Sequence, residues 1–118
     1  MSKIAIVVPA DTETHGGLGR AVDALQVARE FNEAGDEVAI IFDEAGTKWV
    51  PVFADPENRR HKLWKQVDDM VFGACAYRSK AFGPREGVEA SGVKLITDFD
   101  DHPSLRSYVE RGYQIITF

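Results

Sequence analysis

The sequence predicts an α/β protein, a three-layer α/β/α sandwich with a mostly parallel five-stranded sheet. Three observations carry this expectation. Short β-branched runs such as Ile4-Ala5-Ile6-Val7-Val8 have the continuous apolar character of strands buried on both faces. Amphipathic helical stretches separate these runs. Glycines and prolines fall between the two kinds of segment, where chain direction must change. Strand-helix alternation of this sort folds into a parallel sheet covered by helices on both faces.

The elements follow in order. Lys3 to Val8 is the first strand, and Pro9 to Gly17 a polar loop. Leu18, Ala21, Val22, Leu25, Ala28 and Phe31 then recur at helical spacing, and Gly35 stops that helix. Glu37 to Phe42 is the second strand, and Asp43-Glu44-Ala45-Gly46 a turn. Lys48 to Asp55 is apolar, but Pro51 and Pro56 argue against a regular element there. A helix over about 58–69 buries Leu63, Trp64 and Val67. Met70 to Ala74 is the third strand, ending at Cys75, and Ala76 to Phe82 turns into a short helix. Pro84 to Ser91 is helical and Gly92 ends it; Val93 to Thr97 is the fourth strand. Pro103 opens a last helix with Leu105, Tyr108 and Val109 inward and Gly112 as its cap. Tyr113 to Phe118 is the fifth strand, its end expected to be tied down against a neighbouring subunit.

Size and charge narrow the function. A chain of 118 residues suits one domain, 1–118, with a core that needs no disulfide or metal staple. A net charge of -5 argues against non-specific nucleic-acid binding, which needs a basic face. No apolar run approaches the length of a membrane span, and Ile4 to Val8 is too short for a secretory signal. With one cysteine the chain makes no internal disulfide, so a cytoplasmic location is expected.

In a parallel sheet the site lies beyond the carboxyl ends of the strands, where the strand order reverses. Cys75 falls at such an end. A helix start and the cations Arg78 and Lys80 follow it, which are conditions that lower a thiol's pKa. It reads as a nucleophile or a sulfur carrier, with Gly73 leaving room beside the sulfur; the bland alternative is a small buried hydrophobe. His15 and His102 fall at the same edge, placed to move a proton. Gly16, Gly17 and Gly19 precede the first helix, where free amides hold an anion, and Asp43 faces the same edge. The glycine pattern is a broken dinucleotide fingerprint, because Val22 stands where its last glycine belongs. No two histidines share a metal-ligand spacing, so neither a metal nor another cofactor is expected. The acids Asp98, Asp100 and Asp101 read as a solvated loop or a helix cap, and Trp49, Phe53 and Trp64 as core.

The segment Val71-Phe72-Gly73-Ala74-Cys75-Ala76-Tyr77-Arg78-Ser79-Lys80-Ala81-Phe82-Gly83 resembles the centre of the DsrE-like family. Ala24-Leu25 with Ala28, Phe31 and Ala34-Gly35-Asp36-Glu37-Val38 is similar to that family's first helix and second strand. Ile41-Phe42-Asp43 with Ala45-Gly46 is similar to its turn after that strand, with Glu44 replacing a glycine. His102-Pro103-Ser104-Leu105 and Gly112 to Phe118 are similar to its ending. The resemblance implies a compact domain that assembles into dimers, trimers or hexamers. It also implies sulfur relay on a cysteine persulfide, as in the DsrE, DsrF and TusD type members, with sulfur donor and acceptor proteins as partners. Cys75 matches the carrier position, and Arg78 stands where many relatives have a second cysteine, which excludes disulfide exchange within one chain. The expected function is thus a single-cysteine persulfide carrier. The alternatives are a non-catalytic oligomer binding a small ligand or nucleotide, and a scaffold subunit with exposed aromatics around Trp49 and Phe53.

Overall fold

The continuous β-branched run Lys3–Val8 (β1) occupies the sheet interior in the computed structural model, which describes residues Met1–Phe118. It pairs in parallel with Glu37–Phe42 (β2) on one side and Gln114–Thr117 (β5) on the other. Val71–Cys75 (β3) and the two-residue Leu95–Ile96 (β4) complete the order β4-β3-β2-β1-β5. Every pairing is parallel. β4 and β5 are shorter than their apolar runs predict.

This order divides the helices between the faces. The steps β1 to β2 to β3 to β4 all move the same way across the sheet, and the step from β4 to β5 returns past them. Right-handed crossovers therefore place the first three connections on one face and the last on the other. The first face carries His15–Glu33 (α1), Trp49–Ala54 (α2), His61–Val67 (α3) and Arg85–Ala90 (α5). Its core joins Ile4, Ile6, Val8, Leu25, Phe42 and Trp64 with others into 18 buried residues. The second face carries Leu105–Glu110 (α6) over a smaller cluster of 7, including Val7, Ile41, Ile96 and Tyr108.

Several elements depart from the sequence expectation. α1 begins at His15, not after Gly17, because Thr14 caps it by accepting from the Gly17 amide at 2.9 Å. The segment read as irregular forms a 3-10 turn, Glu44–Lys48, running into α2. Pro51 lies in the first turn of α2, where its missing N–H costs no helix bond. Trp49 and Phe53 stack at 5.1 Å in the core, and Trp49 Nε1 donates to the Ala10 carbonyl at 2.8 Å, so neither is the exposed aromatic that a scaffold role expects of them. The expected 58–69 helix narrows to α3 followed by a 3-10 turn, Asp68–Met70. In α6 only Tyr108 points inward, and Leu105 and Val109 are exposed; Ser104 caps its amino end by accepting from the Ser107 amide, and Gly112, with φ of 90°, closes its carboxyl end as expected.

β3 contains a bulge. Ile40 pairs with Val71, but Ile41 pairs with Gly73, so Phe72 is an extra residue. Val71 and Ala74 consequently pack into the same core although they are three apart. Cys75 pairs with Ile96, a member of the α6-side cluster, and so lies toward that face.

Candidate functional site

Three loops converge at the carboxyl end of β3. Cys75 closes β3 and also caps Ala76–Ala81 (α4), its Sγ accepting from the Arg78 amide at 3.4 Å. The loop after β4 supplies a tight turn over 99–102. Phe99 and His102 exchange two backbone hydrogen bonds of 2.8 Å, and Asp100 and Asp101 between them both take positive φ, 49° and 63°. That turn lays His102 Nδ1 3.3 Å from the sulfur and the Asp101 carbonyl 3.5 Å from it. The Tyr77 amide donates to the same carbonyl at 3.0 Å, and the Tyr77 ring lies 5.0 Å from the His102 ring. Asp43, just past β2, is the third member. One carboxylate oxygen of Asp43, Cys75 Sγ and a His102 ring nitrogen all lie within 4.8 Å of one another.

The sulfur is fully covered, with 0% of Cys75 exposed. Its pKa moves opposite to the sequence expectation, up to about 11. Burial is the largest cause, because a desolvated thiolate is unfavourable. The Arg78 amide pulls the value down, and the neighbouring Asp43 carboxylate pushes it up again. At neutral pH Cys75 is therefore a thiol in a polar nest, neither a poised thiolate nor a residue sealed among aliphatic groups.

The other expected residues divide. Arg78 acts on the sulfur through its backbone, while its guanidinium pairs with Glu44 at 3.2 Å and lies over the Tyr77 ring. Lys80 lines a cleft of about 650 Å³ beside α4, with Arg85 and with Tyr77 and Asp101, which also border the sulfur site. His15 sits at the start of α1 in a shallow groove with Glu13 and Trp49, whose lining includes none of the sulfur's neighbours. Gly16, Gly17 and Gly19 lie in the first turns of α1 and not in a phosphate-cradling loop. Gly17 is needed for a close approach, since a Cβ there would meet the Asp11 carbonyl oxygen at 2.0 Å. Gly73 does not leave room beside the sulfur. Its missing side chain admits Ile96 and the Lys94 carbonyl, both 2.5 Å from where a Cβ would be.

The site lies where neighbouring strands send their connections to opposite faces, since the chain leaves β3 toward the first face and β4 toward the second. The sequence reading missed the meeting of Asp43, Cys75 and His102, because ligand spacing within one segment cannot reveal residues brought together by three loops. The available signal was positional: each of them follows the end of a strand-like run.

An uncharacterized protein of Methanocaldococcus jannaschii, MJ0733, is 30% identical to this chain over 92 residues, covering 78% of the chain and 74% of the relative. No protein-family model matches the chain. No solved structure matches it.

Proposed function

The chain belongs to the same family as the M. jannaschii protein, and on that premise we propose that it is a DsrE-like sulfur carrier, holding a persulfide on Cys75. The single observation that carries this reading is the contact of 3.3 Å between Cys75 Sγ and His102 Nδ1. A thiol with a raised pKa needs a base at hydrogen-bond distance before it can attack. His102 is that base. Cys75 gives its proton to Nδ1, and the sulfur attacks the outer sulfur of a donor persulfide. A new S–S bond forms on Cys75, the donor's S–S bond breaks, and the departing donor thiolate takes the proton from His102. One persulfide is exchanged for another, so no oxidant is consumed. The Arg78 amide stabilises the anion while it lasts.

Access requires the Asp101 carbonyl to move off the sulfur while His102 Nδ1 stays within reach of it, a local shift within the 99–102 turn. Two non-glycine residues in left-handed backbone make it a costly conformation, at about 1 kcal/mol or more each. The donor and acceptor are proteins in this reading, and the location is the cytoplasm, where a lone thiol stays reduced. No helix is long and apolar enough to cross a membrane. The exposed Phe72, Phe99 and Val109 on the thinly covered α6 side are the surface for the expected homo-oligomer, which a solution mass measurement tests.

The relay itself is tested by incubation with a persulfide-bearing sulfurtransferase, followed by alkylation and mass spectrometry of the Cys75 peptide. The expected product carries one added sulfur atom. His102→Ala slows its formation about a hundredfold, the scale of general-base catalysis. Sulfur uptake by Cys75→Ser at the wild-type rate would overturn the assignment.

A further inference from the structure

The three side chains at the end of β3 have a second property, independent of whether Cys75 carries sulfur. We infer that Asp43, Cys75 and His102 form a three-ligand site for a borderline-soft divalent cation of the zinc class.

Their donor atoms come from three separate loops yet lie within 4.8 Å of one another. Zinc holds thiolate sulfur at about 2.3 Å and imidazole nitrogen or carboxylate oxygen at about 2.0–2.2 Å. Donors around one tetrahedral ion are therefore separated by about 3.3–3.8 Å, so the separations here need only small side-chain adjustments. The contact between Sγ and Nδ1, 3.3 Å, is already on that scale.

The chemistry of the set selects the ion. Thiolate and imidazole together disfavour magnesium and calcium, which take all-oxygen shells. A thiolate and a carboxylate carry two negative charges, and a dication neutralises both in a place where the sulfur has no exposed surface. Binding displaces the thiol proton of Cys75 into solvent, forms a metal–sulfur bond and involves no change of oxidation state.

Outer contacts that orient the ligands are in place as well. The Glu44 amide donates to Asp43 Oδ1 at 2.7 Å, and the Arg78 amide to Cys75 Sγ. The backbone of His102 is fixed on both sides by Phe99. Three protein ligands leave one position for water or a further donor, the count found in open zinc sites.

The test uses the metal-free full chain titrated with Co²⁺, and the wild-type protein loaded with Zn²⁺. One equivalent of Co²⁺ per chain is expected to produce a thiolate-to-metal charge-transfer band, absent in Cys75→Ala. Asp43→Asn and His102→Ala each weaken binding at least about tenfold, since even outer-shell changes at such sites cost that much. X-ray absorption at the zinc edge of the wild type needs no variant, and it should report one sulfur with nitrogen and oxygen neighbours. A zinc shell without sulfur, or cobalt affinity unchanged in both Asp43→Asn and His102→Ala, overturns the inference. Neither readout measures sulfur transfer, so failure of this site and failure of the relay are distinguishable.

Discussion

The alkylation rate of Cys75 against pH tests the central physical claim about this site, that burial outweighs every stabilising contact to the sulfur. The ordinary value for the thiol is 9.0, and the structure raises it to about 11. Each unit divides the thiolate population by about ten, so at pH 7 the native protein holds about a hundredfold less thiolate than an unhindered cysteine. Iodoacetamide labelling of the folded protein is therefore expected to be slow at neutral pH, with an inflection well above pH 9. The variant Asp43→Asn removes an adjacent negative charge and leaves the burial in place. Because burial is the larger cause, Asp43→Asn recovers only part of the hundredfold. Urea-unfolded protein, labelled in parallel, gives the unhindered rate. An inflection below about 8.5, the value of free cysteine, would show that the amide of Arg78 dominates over desolvation and that burial is not the deciding effect.

Stability follows from the same shift, with its sign fixed by proton counting. Between pH 9 and 11 the unfolded chain has lost the Cys75 proton and the native chain retains it, so stability falls as pH rises through that window by about 2–3 kcal/mol from this group. Denaturant midpoints at pH 8.5 and 10.5 measure it, and Cys75→Ala shows a correspondingly shallower decline. At the end of β1, a Cβ on Gly46 would lie 1.8 Å from the Val8 carbonyl oxygen and 2.7 Å from its carbon, both backbone atoms. Gly46→Ala is expected to destabilise the fold by about 3 kcal/mol or more, at the upper end of single substitutions, while Gly19→Ala, with nothing within 4 Å, leaves stability unchanged or raised; thermal unfolding decides both.

Much of the architecture was legible because its causes are local. The β-branched run at 3–8, the helical spacing from Leu18 to Phe31 and the glycine at 35 each act within a few residues, and all three features appear in the fold. The two shortest strands were overread, since β4 and β5 depend on what their neighbours leave to pair with. Pro51 looks like a breaker in sequence, where nothing shows that it lies in the first turn of a helix. The candidate site was half legible. Cys75 and His102 stood out as chemically suited residues at strand ends, and they do meet. The environment of the sulfur was misjudged because charge near a residue in sequence is not charge near it in space. The Arg78 guanidinium pairs with Glu44, and Lys80 lines a cleft beside α4. Desolvation, the deciding quantity, is a property of the packed chain.

The extra residue at Phe72 works as a parity switch. Side chains along a strand alternate between two half-spaces, and one uncompensated residue exchanges the assignment of everything after it. With strict alternation from Val71, position 75 would share that residue's side and deliver its sulfur to the face of Phe42 and Val8, with the sheet itself standing between thiol and imidazole. Removing a single amino acid at 72 or 73 therefore amounts to deleting the sulfur's address while leaving the sulfur in the chain.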